Sequence, residues 1–409
     1  MNQLGIKKEL DKLNGLKNEF SEELNRILTF WSSACLDEAN GGFIGKMDHY
    51  GKIDPEASKS CILNTRILWT FSAAYRTSNK EVYRSIADRA FDYLVNYFWD
   101  KDNGGLFWEL DAQGGVLNSK KQAYAQGFGL YGFSEYFRAT KKDESLKLAL
   151  ALFDILENNF WEPKFGGYIE ALTADWKSLD DVRLSDKDLN TPKSMNTHLH
   201  ILEPYSNLYR VHPDAKVKKA IESLLQVFTE KIYNPKTQHL RMFFNLDWTS
   251  QFEEVSFGHD IEAAWLLNEA SILVHEGKVS EDLQKITAAL VKATKKEGLD
   301  ADGSLFNERH GAVLDKDKHW WPQAEALVGF MDAYELDQDP ELVRHIEAIW
   351  QFIKSHLIDH KNGDWIWRVN AANIPVTSED KVGFWKCPYH NSRALMELIE
   401  RIDNLNNQV

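Results

Sequence analysis

Apolar residues recur every three or four positions through long stretches of this chain, beginning with Leu13, Leu16, Phe20, Leu24, Ile27 and Trp31. That spacing lays one apolar stripe along one helix. Twelve segments carry the pattern: roughly 3–31, 58–76, 80–98, 120–139, 143–160, 195–211, 214–232, 258–276, 280–296, 319–336, 340–357 and 385–404. Two kinds of connection alternate between them. Short polar turns (Thr77-Ser78-Asn79, Thr140-Lys141-Lys142, His212-Pro213 and Asp337-Gln338-Asp339) join helices into antiparallel hairpins. The other connections are long arms, each built on a small-residue turn and aromatics: NGGFIGKMD (Asn40 to Asp48), NGGLFWELD (Asn103 to Asp111), FGGYIEALT (Phe165 to Thr173), QHLRMFFNLD (Gln238 to Asp247), DGSLFNERH (Asp302 to His310) and NGDWIWRVN (Asn362 to Asn370).

The arms return at intervals of about 60 to 70 residues. A fixed long period means one supersecondary unit used repeatedly, each burying its apolar face on its neighbours. Six hairpins with their arms on one side predict an all-α (α/α)6 barrel: an inner ring of six helices, an outer ring of six, and a cavity at the end bearing short β-hairpin arms. The rival architecture, an open α-solenoid, has shorter repeats without such arms. No Pro-rich or Ser-rich linker divides the chain, so residues 1–409 are expected to form a single domain. The most polar stretch, Asp175 to Lys193, is expected to be a loop over the cavity mouth.

Composition narrows the classes of function. With 409 residues and 43% hydrophobic content the chain can bury a large core. Its net charge of −14, without any clustered Lys/Arg stripe, argues against a nucleic-acid partner. Cys35, Cys61 and Cys387 are widely spaced and form no CxxC, so neither a disulfide framework nor a zinc knuckle is indicated and a reducing cytoplasm is the expected setting. The start, MNQLGIKKELDKL, lacks an apolar signal core, and no window approaches 18 consecutive apolar residues. A soluble monomer or weak homodimer with no membrane partner is expected.

If the helix after each arm lines the hole, its first turn faces the cavity. Those turns read Asn64-Thr65-Arg66, Gln122-Ala123-Tyr124, Asn196-Thr197-His198-Leu199-His200, His259-Asp260-Ile261-Glu262, Trp320-Trp321-Pro322-Gln323 and Tyr389-His390-Asn391. Polar chemistry sits where a core helix should be apolar. His259 and Glu262 share a face, as do Asn196 and His200, and His200 and Glu203, so each histidine is expected to have a polar neighbour that fixes its tautomer. Imidazole is the side chain whose ordinary pKa suits reversible proton transfer near neutrality. One histidine or arginine alone is more often a structural partner than a catalyst; several converging in a ring reverse that balance.

Trp69, Trp321 and Trp385 are, one by one, packing residues first, although flat aromatic faces in the cavity would suit the C–H-rich faces of sugars. His198, His200, His259, Glu262 and His390 could ligate zinc or a non-haem metal, but their spacing matches no helical motif such as HExxH, and His198 lies off the face of His200. No GxGxxG or GxxxxGK[ST] follows a strand, so the glycine pairs are turn residues and no nucleotide cofactor is implied. Neither a cofactor nor a metal is expected.

Six long ordered blocks carry a family resemblance: NGGFIGKMDHYGK (Asn40 to Lys52), KSCILNTRILWTFSAAYR (Lys59 to Arg76), DKDLNTPKSMNTHLHILEPYSNLYR (Asp186 to Arg210), GHDIEAAWLL (Gly258 to Leu267), WWPQAEA (Trp320 to Ala326) and WKCPYHNSRA (Trp385 to Ala394). Over nearly its whole length the chain resembles the N-acylglucosamine 2-epimerase superfamily and, within it, the cellobiose 2-epimerase branch. The resemblance implies an (α/α)6 barrel that reversibly inverts C2 of the reducing-end glucose of β-1,4-linked disaccharides without an added cofactor, converting cellobiose to glucosyl-mannose and lactose to epilactose. WKCPYH favours this branch over N-acylglucosamine epimerases and mannose isomerases, and so does DKDLNTPKSMN, since that loop holds the distal sugar in the disaccharide enzymes it resembles. Leu189 and Pro204 carry no inference of their own.

Opening the sugar ring makes the C2 hydrogen α to an aldehyde and therefore removable. His390 is expected to serve the ring oxygen and one face of C2, and His259 the opposite face. Arg66, with His200 beside it, would stabilise the cis-enediolate. Glu262 would orient His259; Asn196 and Tyr124 would bond sugar hydroxyls; Trp321 (chosen over Trp320) and Trp385 would stack on the reducing sugar; Asp188 would take a hydroxyl of the second ring. The same apparatus returning a proton to C1 would give a ketose, so an aldose-ketose isomerase or a monosaccharide or N-acylglucosamine 2-epimerase is the alternative. A glycoside hydrolase needs two opposed carboxyls, and Glu203, Glu262 and Glu325 are available, but histidines dominate the wall. A non-catalytic sugar-binding barrel would bind without turnover.

Overall fold

The apolar stripes become helices in the computed structural model, which describes residues 3–407. They are α1 (Gln3–Ser33), α2 (Cys61–Ser78), α3 (Glu81–Tyr93), α4 (Ala123–Thr140), α5 (Asp143–Ile155), α6 (Met195–Val211), α7 (Ala215–Val227), α8 (Phe257–Val274), α9 (Glu281–Ala293), α10 (Trp320–Asp337), α11 (Pro340–Phe352) and α12 (Tyr389–Asn406). Helices α3, α5, α7, α9 and α11 are shorter than their apolar pattern because their last five residues open into a wider turn. There the N–H groups reach back five residues, as in Trp99 to Leu94 at 2.9 Å and Ile358 to Ile353 at 3.0 Å. Three of the hairpin turns end the preceding helix on a left-handed residue: Asn79, Lys141 and Gln338.

Helices α2, α4, α6, α8 and α10 bury nearly their whole circumference, and α12 does so over its first half; the first fourteen residues of α2, Cys61 to Ala74, are all buried. Each packs on the next even helix, and α12 returns to α2. That closure makes an inner ring and rules out an open solenoid. The odd-numbered helices are amphipathic and lie outside, α3 on α2, α5 on α4, and so on round to α1 on α12.

The arms close a second circle. The strand leading into each inner helix pairs antiparallel with the following arm: Lys59–Ser60 with Glu109–Leu110, Lys121–Gln122 with Ala171–Leu172, Lys193–Ser194 with Phe243–Phe244, Glu254–Ser256 with Glu308–His310, and Lys318–His319 with Arg368–Val369. Val382 completes it by pairing with Met47 of the first arm. Every inner helix therefore begins at the arm-bearing end, and the six polar first turns face one space.

A second repeated feature holds these entries in place. Lys59, Lys121, Lys193, Lys318 and Lys381 are buried and pair with Asp37, Asp100, Glu162, Asp300 and Asp359 at 2.7 to 3.2 Å. Four of them also donate to a carbonyl in the glycine turn of the same arm, at Gly41, Gly104, Gly166 and Gly363. A buried ammonium is tolerable only when paired in this way, so each lysine clamps arm to helix. The fourth unit lacks the lysine; its arm is tied instead by His239 to Asp260 of α8 at 2.6 Å. Among the described residues no helix is long and apolar enough to cross a membrane.

Candidate active site

At the arm-bearing end of the inner ring lies a cavity of about 460 Å³. All ten residues singled out above line it: Arg66, Tyr124, Asp188, Asn196, His200, His259, Glu262, Trp321, Trp385 and His390. His198 does not. Its Nδ1 bonds the Ser194 carbonyl at 2.6 Å and its Nε2 accepts the Tyr168 N–H at 2.9 Å, so it ties α6 to an arm.

Two imidazoles flank one indole. The Trp321 ring lies 4.7 Å from His259 and 5.7 Å from His390, centroid to centroid. Trp320 also lines the cavity but packs tilted against Trp367, centroids 4.8 Å apart, and is almost fully buried. Burial lowers the pKa of His259 to about 4. His390 is held well below the ordinary histidine value, first by burial and then by the Arg66 charge. Both rings are neutral at physiological pH and present unprotonated nitrogen as a base.

The expected partnership of Glu262 with His259 does not form. His259 Nδ1 meets Ser256 Oγ at 2.8 Å, on the strand just before the helix. Glu262, one turn deeper, accepts from Arg393 at 2.8 Å, and its other oxygen lies 3.9 Å from His200 Nε2. A shared helix face brought the two residues to the same cavity, but the inter-helix contact chose the partner. Nor does Asn196 fix the tautomer of His200; that falls to Glu203, 3.1 Å from its Nδ1.

Arg393 was not foreseen as a site residue. It bonds Glu203, Glu262 and Glu325, and Glu203 also accepts from Tyr389. Glu325 in turn sits 2.6 Å from His390 Nδ1. The available signal was spacing, since His390 and Arg393 are i, i+3 on α12. Burial raises the Glu262 pKa to about 8 and holds Glu325 well above the carboxylate range. Three carboxylates around one guanidinium out of water do not all ionise together.

Glu262, Glu325 and His390 offer donor atoms within 4.8 Å of one another, the spacing of a metal site. The Arg393 guanidinium bonds both carboxylates and supplies the positive charge there. A second such group, Glu254, Glu308 and His310, lies on adjacent strands beside the cavity mouth. Arg66, by contrast, has no carboxylate partner among the described residues. Its Nη2 donates to the Tyr124 hydroxyl at 2.8 Å, and its guanidinium lies over Phe128 at 4.3 Å and Tyr389 at 5.0 Å. A cation held by aromatic faces keeps its attraction for an anion in the cavity.

Pro204, from which the sequence drew nothing, shapes this wall. It sits inside α6 and has no N–H for the carbonyl four residues earlier, that of His200, where the backbone leaves helical geometry (φ −87°, ψ 15°). The displaced carbonyl packs against Gly127 of α4, so close that a Cβ at 127 would stand 2.4 Å from it.

Asp188 turns one oxygen back to Ser185, accepting from its N–H at 2.9 Å and its hydroxyl at 2.8 Å, which folds the loop at the mouth. Trp385 is backed by Phe384 at 5.4 Å and Trp108 at 5.9 Å. Several residues lining the cavity keep buried polar atoms that no protein group satisfies: Arg66 Nε, Asn196 Oδ1, Glu262 Oε2 and Trp320 Nε1. This mixture of donors and acceptors beside aromatic faces is what a polyhydroxylated ring requires.

The chain matches the N-acylglucosamine 2-epimerase (GlcNAc 2-epimerase) family over residues 42–394. It is 44% identical over 387 residues to the cellobiose 2-epimerase of Bacteroides fragilis, covering 94% of this chain and 98% of that one. It is 40% identical to the cellobiose 2-epimerase of Dictyoglomus turgidum, covering 95% and 100%. The solved structure of cellobiose 2-epimerase from Bacillus thermoamylovorans B4167 superposes with a TM-score of 0.92 at 37% identity, over 95% of this chain and 100% of that one. With the ring of twelve helices and its histidine-lined cavity, these likenesses place the chain in the N-acylglucosamine 2-epimerase family.

Proposed function

We propose that this chain reversibly epimerises C2 of the reducing-end glucose in β-1,4-linked disaccharides such as cellobiose and lactose. The observation that carries the reading is the pair of neutral imidazoles, His259 and His390, touching the same Trp321 ring in one cavity. The names of the relatives supply the substrate class.

The reaction begins with ring opening, assisted by His390 at the ring oxygen. One imidazole then takes the C2 proton, becomes imidazolium and loses that proton to solvent, while the other takes up a solvent proton and delivers it to the opposite face, so both rings end neutral. Each well-placed acid or base contributes about 10² to 10⁴ in rate. Negative charge on the enediolate oxygens meets the carboxylate-free Arg66, with His200 beside it. Trp321 and Trp385 stack on the reducing sugar, Tyr124 and Asn196 bond its hydroxyls, and the free oxygen of Asp188 takes a hydroxyl of the second ring. The chain acts as one catalytic unit, and its three buried free thiols suit a reducing cytoplasm.

The test is to incubate the protein separately with cellobiose, lactose, glucose, mannose and N-acetylglucosamine and to analyse the products. Glucosyl-mannose from cellobiose and epilactose from lactose are expected. Turnover of monosaccharides alone, or release of glucose from cellobiose, would refute the proposal.

A further inference from the structure

Behind His390 stands a carboxylate to which the reaction above gives no role. Glu325, on α10, is fully buried. Its Oε1 lies 2.6 Å from His390 Nδ1 and accepts from Arg393 Nη2 at 2.7 Å, while its Oε2 accepts from Trp265 Nε1 at 3.2 Å. Both Glu325 oxygens accept from N–H donors, whereas Glu262 Oε2 has no protein partner and is free to carry the proton that the crowded carboxyls share; Glu325 is the ionised member, and its Oε1 accepts the hydrogen bond of His390 Nδ1–H. The ring is then the tautomer whose Nε2 carries only a lone pair. His259 has no equivalent: its Nδ1 meets the hydroxyl of Ser256, and the carboxylate on its own helix face is turned to Arg393.

The two imidazoles are therefore backed unequally, one by a carboxylate and the other by a hydroxyl. A carboxylate at Nδ1 stabilises the imidazolium that forms when Nε2 takes a proton, and a hydroxyl does so far less. Resting on the epimerase reading, we infer that Glu325 is a positioning residue that fixes the tautomer of His390 and makes it the stronger base of the pair. Arg393 is the anchor that keeps Glu325 in place, and the asymmetry means that weakening Glu325 slows the step on one face of C2 only.

Two measurements test this. In full-length protein labelled with 15N-histidine, the His390 signal, identified by its loss in His390→Gln, is expected to show a protonated Nδ1 and a bare Nε2. A protonated Nε2 would overturn the inference, and this measurement decides the matter even if the Glu325 variant does not fold. In Glu325→Gln, kcat/KM should fall at least ~10²-fold in both directions, since the equilibrium constant is fixed. The primary isotope effects from C2-deuterated cellobiose and its C2-deuterated epimer should then diverge. One rises towards its full value, for the sugar deprotonated by His390; the other falls towards unity, because its deprotonation has become a fast pre-equilibrium. Equal changes in both directions, or none, would refute the role of Glu325. A wild-type protein that converts neither sugar would instead sink the epimerase reading itself.

Discussion

Replacing Gly127 by alanine puts a methyl group 2.4 Å from the carbonyl oxygen of His200. A relaxed carbon–oxygen contact is roughly 1 Å longer, and both atoms belong to helix backbones, so neither can swing aside. Overpacking of this kind costs about 1–3 kcal/mol, against which alanine recovers up to about 1 kcal/mol over glycine in a helix interior. The expected net loss is about 1–2 kcal/mol. For a chain of this length that lowers Tm by only about 1–2 °C. Activity should suffer more, because the carbonyl that must retreat belongs to His200, and displacement approaching 1 Å in a catalytic site costs up to about 10²-fold. The same substitution at Gly15, exposed in the interior of α1 with nothing within 4 Å of a new Cβ, should stabilise by about 0.5–1 kcal/mol and leave turnover unchanged. Thermal denaturation and kcat/KM on cellobiose for the two variants give the comparison. Full activity and unchanged stability in Gly127→Ala would refute the account of how Pro204 and Gly127 shape the His200 wall.

His259→Ala and His390→Ala should each remove epimerisation while keeping the circular dichroism and Tm of a folded protein; full activity in either would cancel its assignment. Because burial lowers the His259 pKa to about 4, the acid limb of the kcat/KM profile should lie clearly below the ordinary histidine range, and a midpoint near 6.5 would contradict that. Asp359 is pushed up by burial but pulled down further by the Asn362 N–H and the Lys381 ammonium, to about 2. A carboxylate with a depressed folded pKa stabilises above its unfolded pKa of about 3.8 and loses that contribution as pH falls towards 2. The stability gap between wild type and Lys381→Met, measured by urea unfolding, should therefore be largest at neutral pH and shrink between about pH 4 and 2. A gap independent of pH would refute the clamp.

The helices were legible because each is long enough for its period to repeat, and the arms because their turns need glycine or another small residue. Even the inner helices, apolar nearly all round, could be placed by the polar first turns that break the apolar run. Partner choice was not legible. Glu262 has the right spacing for His259, yet the distance between α8 and α12 gives it to Arg393, and no periodicity reports that approach. Glu325 and His390 lie 65 residues apart and meet only because the ring closes. Pro204 and Gly127 make sense only as a pair on adjacent helices. The lysine clamps are a different case. Lys59, Lys121, Lys193 and Lys318 each stand two residues before an inner helix, so the repeat itself contained that signal; Lys381, further ahead of α12, did not share the spacing.

The most direct test of proton transfer at carbon is the fate of the C2 hydrogen when cellobiose is turned over in D2O. Deuterium at C2 of the glucosyl-mannose product, read by NMR, is expected if two imidazoles exchange protons with solvent on opposite faces. Complete retention of the original hydrogen would contradict a proton passing through His259 and His390.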